Sequence, residues 1–446
     1  MAKKPDSLMP LLRALDTDSS GAIREVVEEL HPADIGDLLE SIAPDKRDRV
    51  LTQIPRFLIG ETLMELPDSI RADLVSEMAP ADLVAAAQTL DTDDIADLIP
   101  DLPDEVIKQI LSALDQQDRE RLDAVLSFPE DTAGGLMNVD TVTIRENLTL
   151  EVVLRYLRGR GELPDDTNKL FVVDRKDHLV GNLYISKLLT TDPKKRVGAV
   201  MDREPVKFGA LITDNEVAAA FERYNLISAP VVDSEDRLLG RITVDDVVDV
   251  IREEADHSVM APAGLSEEED IFAPVARSSR NRALWLGVNL VTAVAASVVI
   301  GLFEDTIQKI VALAVLMPIV ASMGGNAGTQ TVVLVVRGLA MGTITHGNAR
   351  QVLLKEMLVS VVNSLLWALV VAVVAIVWYQ DPMLGLVIAL AMVINLMVAA
   401  LSGVIIPIMF RRLGIDPALA SGVMLTAITD VVGFLSFLGL AALLLL

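Results

Sequence analysis

Five long, almost uncharged stretches in the second half of the chain restrict its fold more than any other feature. Residues 283–303, 310–336, 357–380 and 382–410 contain no charged side chain, and residues 417–446 contain one. About 20 apolar residues are enough for a helix to cross a bilayer. The alternative, a buried soluble core, does not account for five such stretches in succession. The sequence therefore predicts a multi-pass integral membrane protein with five spans.

The basic residues between the predicted spans indicate their orientation, because Lys and Arg concentrate in cytoplasmic connections. One side offers Lys309 alone, whereas the other carries Arg277, Arg280, Arg282, Arg337, Arg350, Lys355, Arg411 and Arg412. Residues 1–10 contain two lysines and no apolar run, so we expect no cleavable signal peptide. We expect a cytoplasmic N-terminus, a C-terminus on the opposite side and insertion in the cytoplasmic (inner) membrane.

The net charge of the chain lies entirely before the spans. The 446 residues include 63 acidic and 38 basic side chains, a net charge of −25, whereas the charges after residue 282 cancel. Such an anionic half repels nucleic acid and favours cations or basic proteins as partners, although ordinary solubility is an alternative explanation. The chain has no cysteine and only four scattered histidines, so a bound metal ion would need oxygen ligands.

One carboxylate lies deep in a predicted span. Asp430 follows Pro417 by 13 residues, or roughly 20 Å at 1.5 Å per residue, which is close to the middle of the bilayer. No Lys or Arg lies at comparable depth. An ionisable group that faces lipid there costs at least about 2.5 kcal/mol, so we expect it to face water or a partner. A paired or capping carboxylate is the alternative. We interpret Asp430 as a pore ligand, with Thr426 and Ala427 beside it on the same helix face.

The second predicted span contains Pro318 and the glycine-rich run GGNAGTQ at 324–330. Proline and paired glycines free backbone carbonyls, which at membrane depth must lie against protein or water. We therefore expect an interrupted helix that lines a polar path, with Asn326 and Gln330 as lining residues. A kink or a close helix contact is the alternative. In the fourth span, a stripe of small and polar residues is interpreted as a packing seam: Asn395, Ala399, Ser402 and Gly403.

The first half of the chain shows two patterns. Residues 23–128 read as short helices that begin at Pro or an acid and return about every 12–20 residues, as in a small α-solenoid. From Val139, the blocks 170–189 and 229–251 share an apolar strand, a charged turn and a strand that runs into a helix. They predict an internal repeat of about 60 residues, and both blocks resemble CBS domains. No P-loop is present, so ATP-driven pumping is unsupported.

Acidic residues at helical spacing connect the second repeat to the first span. They are Asp245, Asp246, Asp249, Glu253, Glu254 and Asp256. Carboxylates on one face repel one another unless a cation screens them, and hard divalent cations prefer oxygen ligands. A solvated acidic linker is the alternative. Because it lies between the repeats and the spans, this segment is placed where a sensor would act on a gate.

Three motifs carry a resemblance to a known family: PIVASMGGNAGTQT at 318–331, RRLGIDPALASG at 411–422 and TAITDVVGF at 426–434. With the junction FPEDTAGGLM at 128–137 and the order of the domains, they resemble the MgtE family of magnesium channels over nearly the whole chain. The resemblance implies a multi-domain protein with four parts: an all-α N-terminal superhelical domain at 1–135, α/β tandem CBS domains at 136–195 and 196–252, a connecting helix at 253–282, and a five-helix transmembrane pore domain at 283–446.

The resemblance also implies a function that is not enzymatic. It implies a homodimer whose Mg²⁺ path runs along the two-fold axis, lined by the second and fifth spans, with Asp430 as the pore aspartate. Intracellular Mg²⁺ held by regulatory acids would keep the pore closed, and its loss would open it. The family's regulatory positions correspond to these acids: Asp246, Asp249, Glu254, Asp416, Asp214, Glu216, Asp93, Asp94 and Asp97.

The sequence departs from the family pattern in two places and leaves some alternatives open. Val423 follows Gly422 where a proline is frequent, so we expect no helix break there. His257 and Ser258 stand where more acids are common, so we expect fewer regulatory ions. Mn²⁺, Co²⁺ and Ni²⁺ are alternative transported ions, and the sequence leaves open whether ATP binds the CBS pair. The alternative function is a secondary active exchanger coupled to H⁺ or Na⁺. It would need a second ionisable residue at depth besides Asp430, and the sequence predicts none. A membrane-tethered sensor would need no polar path at all.

Overall fold

The computed structural model describes residues 8–17, 19–114, 116–164, 166–266, 269–345 and 347–446. They form two compact units. The first unit contains the residues up to Ala255 and a short segment that ends at Pro274. The second unit contains the residues that follow Ala255 as far as that segment, together with Val275–Leu446.

Short helices that begin at proline or acidic residues build the N-terminal domain. Pro32, Pro44 and Pro80 each open a helix, where the fixed φ of proline suits the first turn and its missing N–H is not needed. Within the described residues the helices are α1 (Leu8–Asp16), α2 (Ser20–Glu28), α3 (Pro32–Glu40), α4 (Pro44–Leu51), α5 (Arg56–Met64), α6 (Asp68–Glu77), α7 (Pro80–Ala87), α8 (Thr92–Leu98), α9 (Asp104–Ala113) and α10 (Gln116–Val125).

Alternate helices of this domain stack in two rows. α3 contacts α5, α5 contacts α7 and α7 contacts α9, while α2 contacts α4 and α4 contacts α6. Each helix buries an apolar face, for example Ile35 and Leu39 of α3 and Leu83 of α7. Helices that contact mainly their neighbours in a row form a solenoid. The predicted all-α superhelical domain is confirmed.

Two three-stranded sheets of identical topology follow, each with one parallel and one antiparallel strand pair. A bulge lies between Val172 and Val173 in one sheet and between Val231 and Val232 in the other, 59 residues later (231 − 172). The predicted repeat of about 60 residues is confirmed. Its elements are β1 (Thr143–Ile144), α11 (Leu150–Arg160), β2 (Lys169–Val173), β3 (Leu179–Tyr184) and α12 (Ile185–Thr190), then β4 (Phe208–Gly209), α13 (Asp214–Tyr224), β5 (Ser228–Val232), β6 (Leu238–Thr243) and α14 (Val244–Met260).

Five helices of the second unit, each 27–31 residues long, are long and apolar enough to cross a bilayer. At 1.5 Å per residue they exceed the roughly 30 Å of a hydrocarbon core. The most buried of them, α19, contacts α17, α18 and α20, and α15 contacts α20. The five predicted spans are confirmed. The helices are α15 (Val275–Gly301), the short α16 (Glu304–Lys309), α17 (Ala312–Ala340), α18 (Ala349–Tyr379), α19 (Pro382–Arg412) and α20 (Pro417–Leu444).

The predicted interruption of the second span is wrong, because α17 is one continuous helix that contains Pro318. A proline removes one backbone hydrogen bond, and the bonds before and after it persist here. The glycine-rich run continues the helix, and Thr329 donates its hydroxyl to the carbonyl of Gly325 one turn earlier, at 2.9 Å. The second span therefore lines any path with side chains and not with freed carbonyls.

Two glycines of α17 allow close approach of the neighbouring helices. A Cβ on Gly324 would lie 2.2 Å from Nδ2 of Asn395, and a Cβ on Gly328 would lie 2.7 Å from the side chain of Leu425. The helix contact that was the alternative explanation of the glycines is thus the observed one. The predicted packing seam on α19 is also present, since all four of its residues are buried: Asn395, Ala399, Ser402 and Gly403.

The predicted connecting helix at 253–282 differs from the structure. α14 starts nine residues earlier than 253, at Val244, and ends at Met260. Pro262 and Gly264, which has a φ of 73°, follow it, and both residue types end helices. Among the described residues that follow, 265–266 and 269–274 are not helical, and α15 begins at Val275. The predicted single helix therefore corresponds to parts of two helices, α14 and α15.

Candidate functional site

Asp430 lies in the interior of α20, 14 residues before the last residue of that helix (444 − 430). Its side chain is half-buried. In the described part of the chain it has no ion-pair or hydrogen-bond partner. An unpaired carboxylate is costly at this depth unless water or a cation reaches it. The structure therefore keeps Asp430 as the candidate ligand of an ion.

The other predicted lining residues lie on α20 and α17, two helices that contact each other. Thr426, one turn before Asp430, is exposed, and Ala427 is half-buried. On α17, Asn326 and Gln330 are exposed, and Asn326 donates from Nδ2 to the hydroxyl of Ser322 at 3.3 Å. A face of polar and small side chains on two adjoining membrane helices can solvate a cation that keeps its own water.

Asp416, a predicted regulatory ligand, caps the N-terminus of α20. Its carboxylate accepts hydrogen bonds from the backbone N–H groups of Ala418 and Leu419 at 2.9 and 3.0 Å. Its Oδ2 also lies 3.1 Å from Nε2 of His257. A carboxylate at a helix N-terminus interacts favourably with the helix dipole. Three contacts thus engage both oxygens of Asp416, and His257 lies where the family pattern has acids.

A second group of carboxylates lies on α8 of the N-terminal domain and on α14 of the second repeat. Asp93 and Asp246 lie close enough for their charges to interact. The buried Asn138 donates from Nδ2 to Asp93 at 3.2 Å and to Asp91 at 3.4 Å. Thr243 donates its backbone N–H and its hydroxyl to Oδ2 of Asp246, at 3.3 and 2.9 Å. We call Asp91, Asp93, Asp94, Asp97 and Asp246 the acidic cluster.

The acidic cluster is short of positive charge. Burial raises the pKa of Asp93 to about 6, with a contribution from the charge of Asp91. Burial and the charge of Asp93 raise the pKa of Asp94 to about 7. Burial raises the pKa of Asp97 to about 7 as well, although Arg71 opposes it. Burial and Asp93 raise the pKa of Asp246 well above its usual value. These carboxylates are held in a state of mutual repulsion.

Residues that the sequence did not single out lie near some of the predicted ligands. Burial raises the pKa of Glu65, and the charge of Asp249 adds to that effect. Burial also raises the pKa of Asp249 itself. Asp91 stands in the same acidic run as Asp93 and could have been included from the sequence. Glu65 and Asn138 could not, because only the fold brings them to these acids.

The remaining predicted ligands lie elsewhere. Asp214 and Glu216 are in the first turn of α13, where the hydroxyl of Thr213 accepts from the backbone N–H of Glu216 at 3.4 Å. Burial raises the pKa of Asp214, and the neighbouring charge that acts on it is Asp131. Glu254 lies on α14, two turns beyond Asp246. The predicted ligands therefore form several groups, of which the acidic cluster is the largest.

Oxygen ligands with excess negative charge suit a hard divalent cation such as Mg²⁺. The donor set of the acidic cluster fits such an ion, since its buried carboxylates have raised pKa values and few cationic neighbours. Across the described ranges, however, no three or more His, Cys, Asp or Glu side chains converge on one point where they could hold a metal ion. The cluster has the charge for cation binding but not a preformed cage.

In EDTA, the stability of the first unit should decrease as the pH rises through about 6 to 7. The folded-state pKa values of Asp93, Asp94 and Asp97 lie above the unfolded value near 4. The folded state therefore binds more protons, and the associated stability is complete below about pH 4 and is lost as the pH passes the folded values. Thermal unfolding between pH 5 and 8 measures this. Asp93→Asn with Asp94→Asn should flatten the profile, whereas the exposed control Asp45→Asn should not. A wild-type melting temperature that rises over this range contradicts the account.

Comparisons with known proteins agree with the domain order. The profile of the MgtE divalent cation transporter matches residues 317–440, that of the MgtE intracellular N domain matches 30–131, and that of the CBS domain matches 133–193 and 197–253. The magnesium transporter MgtE of Thermus thermophilus is 33% identical over 98% of each chain. Its namesake from Bacillus subtilis is 29% identical over 97% of this chain and 96% of that one.

A solved structure extends the similarity to three dimensions. The cytosolic domain of the Mg²⁺ channel MgtE in complex with ATP is 34% identical and covers 55% of this chain and 99% of its own length, with a TM-score of 0.50. The predicted resemblance is confirmed, and with it the assignment to a class of transporters. Because the sequence similarity spans nearly the whole chain, the chain belongs to the MgtE family of divalent cation transporters.

Proposed function

We propose that this protein is a Mg²⁺-selective channel of the cytoplasmic membrane. It works as a homodimer, with the N-terminus in the cytoplasm and the C-terminus on the opposite side. The observation that carries the proposal is Asp430, a carboxylate without a protein partner in the described part of an apolar span. The magnesium transporters to which the chain is similar support Mg²⁺ as the transported ion.

The chemistry of Mg²⁺ suits such a site. Mg²⁺ releases its water reluctantly, so it is best recognised by a few fixed acceptors around a hydrated ion. One carboxylate per chain, with Thr426 beside it and Asn326 and Gln330 on the adjoining helix, supplies acceptors of this kind. Mn²⁺, Co²⁺ and Ni²⁺ carry the same charge, and their exclusion would rest on the size and hydration of the ion.

The homodimer gives the exposed polar residues a place away from lipid. Asn326, Gln330 and Thr426 are exposed in the single chain, and polar side chains of membrane helices normally face a bundle interior or a water-filled cavity. A second copy facing α17 and α20 would create that cavity and place two copies of Asp430 on one path. Closed two-fold symmetry is also the commonest form of homo-oligomer.

The acidic cluster supports regulation by intracellular Mg²⁺. Asp93, Asp94, Asp97 and Asp246 would attract Mg²⁺, which would supply the positive charge that these carboxylates lack. When they are neutralised, α8 and α14 can remain together and the pore is closed. When they are bare, repulsion between α8 and α14 separates them, and the pore opens.

Exchange of a divalent cation for H⁺ or Na⁺ is the competing function. It needs a second ionisable group in the membrane, and Glu356 is a buried acid on α18. Glu356 lies only seven residues after the start of α18, and its Oε1 is 3.1 Å from Nζ of Lys355. A paired acid near a helix end is more typical of the membrane boundary than of a coupling site at depth, so we favour the channel.

Replacing Asp430 tests the pore. Asp430→Ala should lower the Mg²⁺ current by about 10–100-fold, because a contact with a charged group contributes on the order of 1.5–3 kcal/mol. The measurement is Mg²⁺ current across reconstituted bilayers. The matched control is Asp305→Asn, which removes an exposed charge on α16 and should leave the current unchanged. A wild-type Mg²⁺ current in Asp430→Ala would contradict the assignment of Asp430 as the pore ligand.

Replacing cluster acids tests the regulation. Millimolar Mg²⁺ should protect α14 of the wild-type protein from proteolysis, because the bound ion holds α8 and α14 together. Asp93→Asn with Asp246→Asn should abolish the dependence on Mg²⁺, since the repulsion that the ion relieves is gone. Asp123→Asn, an exposed acid of α10, is the control and should behave as wild type. If Mg²⁺ gives the wild-type protein no protection, the regulatory proposal fails.

We also propose that the CBS pair binds ATP. The solved relative that contains ATP supports this. In this chain, Nζ of Lys169 and Nζ of Lys187 lie 5.6 and 5.8 Å from the ring centre of Tyr184. Burial lowers the pKa of Lys169 to about 8, so a bound polyphosphate would stabilise its charged form. Two ammonium groups beside an aromatic ring suit the phosphates and the base of a nucleotide.

Calorimetric titration with ATP tests this site. Lys169→Met should weaken ATP binding by about tenfold or more, since a hydrogen bond to a charged group is lost. Lys176→Met removes an exposed lysine from the β2–β3 turn and should leave the affinity unchanged. Equal affinities in wild type and Lys169→Met would contradict the assignment.

A further inference from the structure

A buried ion pair joins two distant parts of the first unit. The guanidinium of Arg47, on α4, donates from Nη1 to Oδ2 of Asp270 at 2.7 Å and from Nη2 to Oδ1 at 3.1 Å. The two side chains are 1% and 5% exposed. The residues are 223 positions apart in sequence. This bidentate geometry is the strongest form of an arginine–carboxylate contact.

Each member of the ion pair also makes a hydrogen bond to the backbone. Arg47 donates from Nε to the backbone carbonyl of Leu39 at 2.9 Å. Asp270 also accepts from the backbone N–H of Phe272 at 2.8 Å, which closes a turn. A buried pair is tolerated when its remaining donors and acceptors are satisfied. The pair therefore fixes both a position on α4 and the local backbone around Asp270.

The two apolar side chains that follow Asp270 are exposed. Ile271 is 92% exposed and Phe272 is 43% exposed. Apolar packing of Ile271 and Phe272 therefore contributes little to holding this segment, whereas the bidentate contact of Asp270 with Arg47 is buried. Apolar side chains of the same size at both positions could give equal stability. A buried ion pair can in addition specify which residues of the two segments face each other.

The position of Asp270 in the chain gives the anchor its significance. The chain leaves the first unit after Ala255, returns to it around Asp270 and leaves again after Pro274. Only Ile271 to Pro274 separate Asp270 from α15, the first span. α15 contacts α20, the helix that carries Asp430. A displacement of α4 can therefore pass through the Arg47–Asp270 ion pair and a short stretch of main chain to α15, the helix that contacts α20.

We propose that Arg47 and Asp270 are positioning residues that fasten the start of the first span to the N-terminal domain. The N-terminal domain then acts on the pore through the main chain at α15 as well as through α14. This inference rests on the proposed regulation by Mg²⁺ and adds a second mechanical route to it. The pair touches neither the acidic cluster nor the transported ion, so its loss uncouples the sensor from the gate without removing either.

Two measurements on the full-length protein separate sensing from coupling. Proteolytic protection of α14 by Mg²⁺ reports the sensor, and closure of the reconstituted channel by Mg²⁺ reports the coupling. Asp270→Asn should keep the Mg²⁺ midpoint for protection within about twofold of wild type, yet weaken closure by at least about fivefold, the lower range of couplings between sites. Asp45→Asn, an exposed acid on the same helix as Arg47, is the control and should leave both unchanged.

A second variant keeps the ion pair intact. A short Gly-Ser insertion after Ala273 slackens the connection to α15 without touching Arg47 or Asp270. It should weaken closure as Asp270→Asn does, with protection retained, and it decides the matter if Asp270→Asn fails to fold. Wild-type closure in the insertion variant overturns the inference and leaves the proposed function standing. A wild-type channel that Mg²⁺ does not close overturns both.

Discussion

The energetic cost of a carboxylate without a counter-charge is the constraint on which both halves of this protein depend. In the first unit, burial and mutual repulsion raise the pKa values of Asp93, Asp94 and Asp97. In the second unit, Asp430 lies in an apolar span without a protein partner among the described residues. Water or a mobile cation can lower this cost without a fixed protein charge. A protein that handles divalent cations can use the same physical feature twice, to conduct the ion and to detect it.

The scaffold around Asp430 depends on close helix packing. Gly324 of α17 and Gly433 of α20 both leave space for Asn395 of α19, whose buried amide donates to the carbonyl of Val320 at 2.9 Å. Larger side chains at either glycine would displace that amide. α19 thus sets the spacing of the two helices that carry the proposed path, and the polar faces of those helices remain available to the ion.

The sequence predicted the features that local patterns encode. Hydrophobic length identified the five spans, the turn pattern identified the repeat, and depth along a helix identified Asp430. Local pattern failed at α17, where glycine and proline predicted an interruption, because packing against α19 and α20 stabilises a continuous helix. The proximity of the Glu65 and Asp249 charges and the contact between Arg47 and Asp270 lie beyond any local pattern, since only the tertiary fold brings such residues together. The proposed regulatory acids were predicted through a family resemblance, and only part of them gather in the acidic cluster.

The central claim is that Asp430 faces a path occupied by a divalent cation, and the location of an ion tests it most directly. Mn²⁺ scatters X-rays anomalously, so crystals of the full-length protein soaked in Mn²⁺ would reveal where a divalent ion binds in the membrane half. The account predicts an anomalous peak beside the Asp430 carboxylate in the wild type and none there in Asp430→Asn. An Asp430 that is paired with a basic side chain, with no ion near it, would contradict the account.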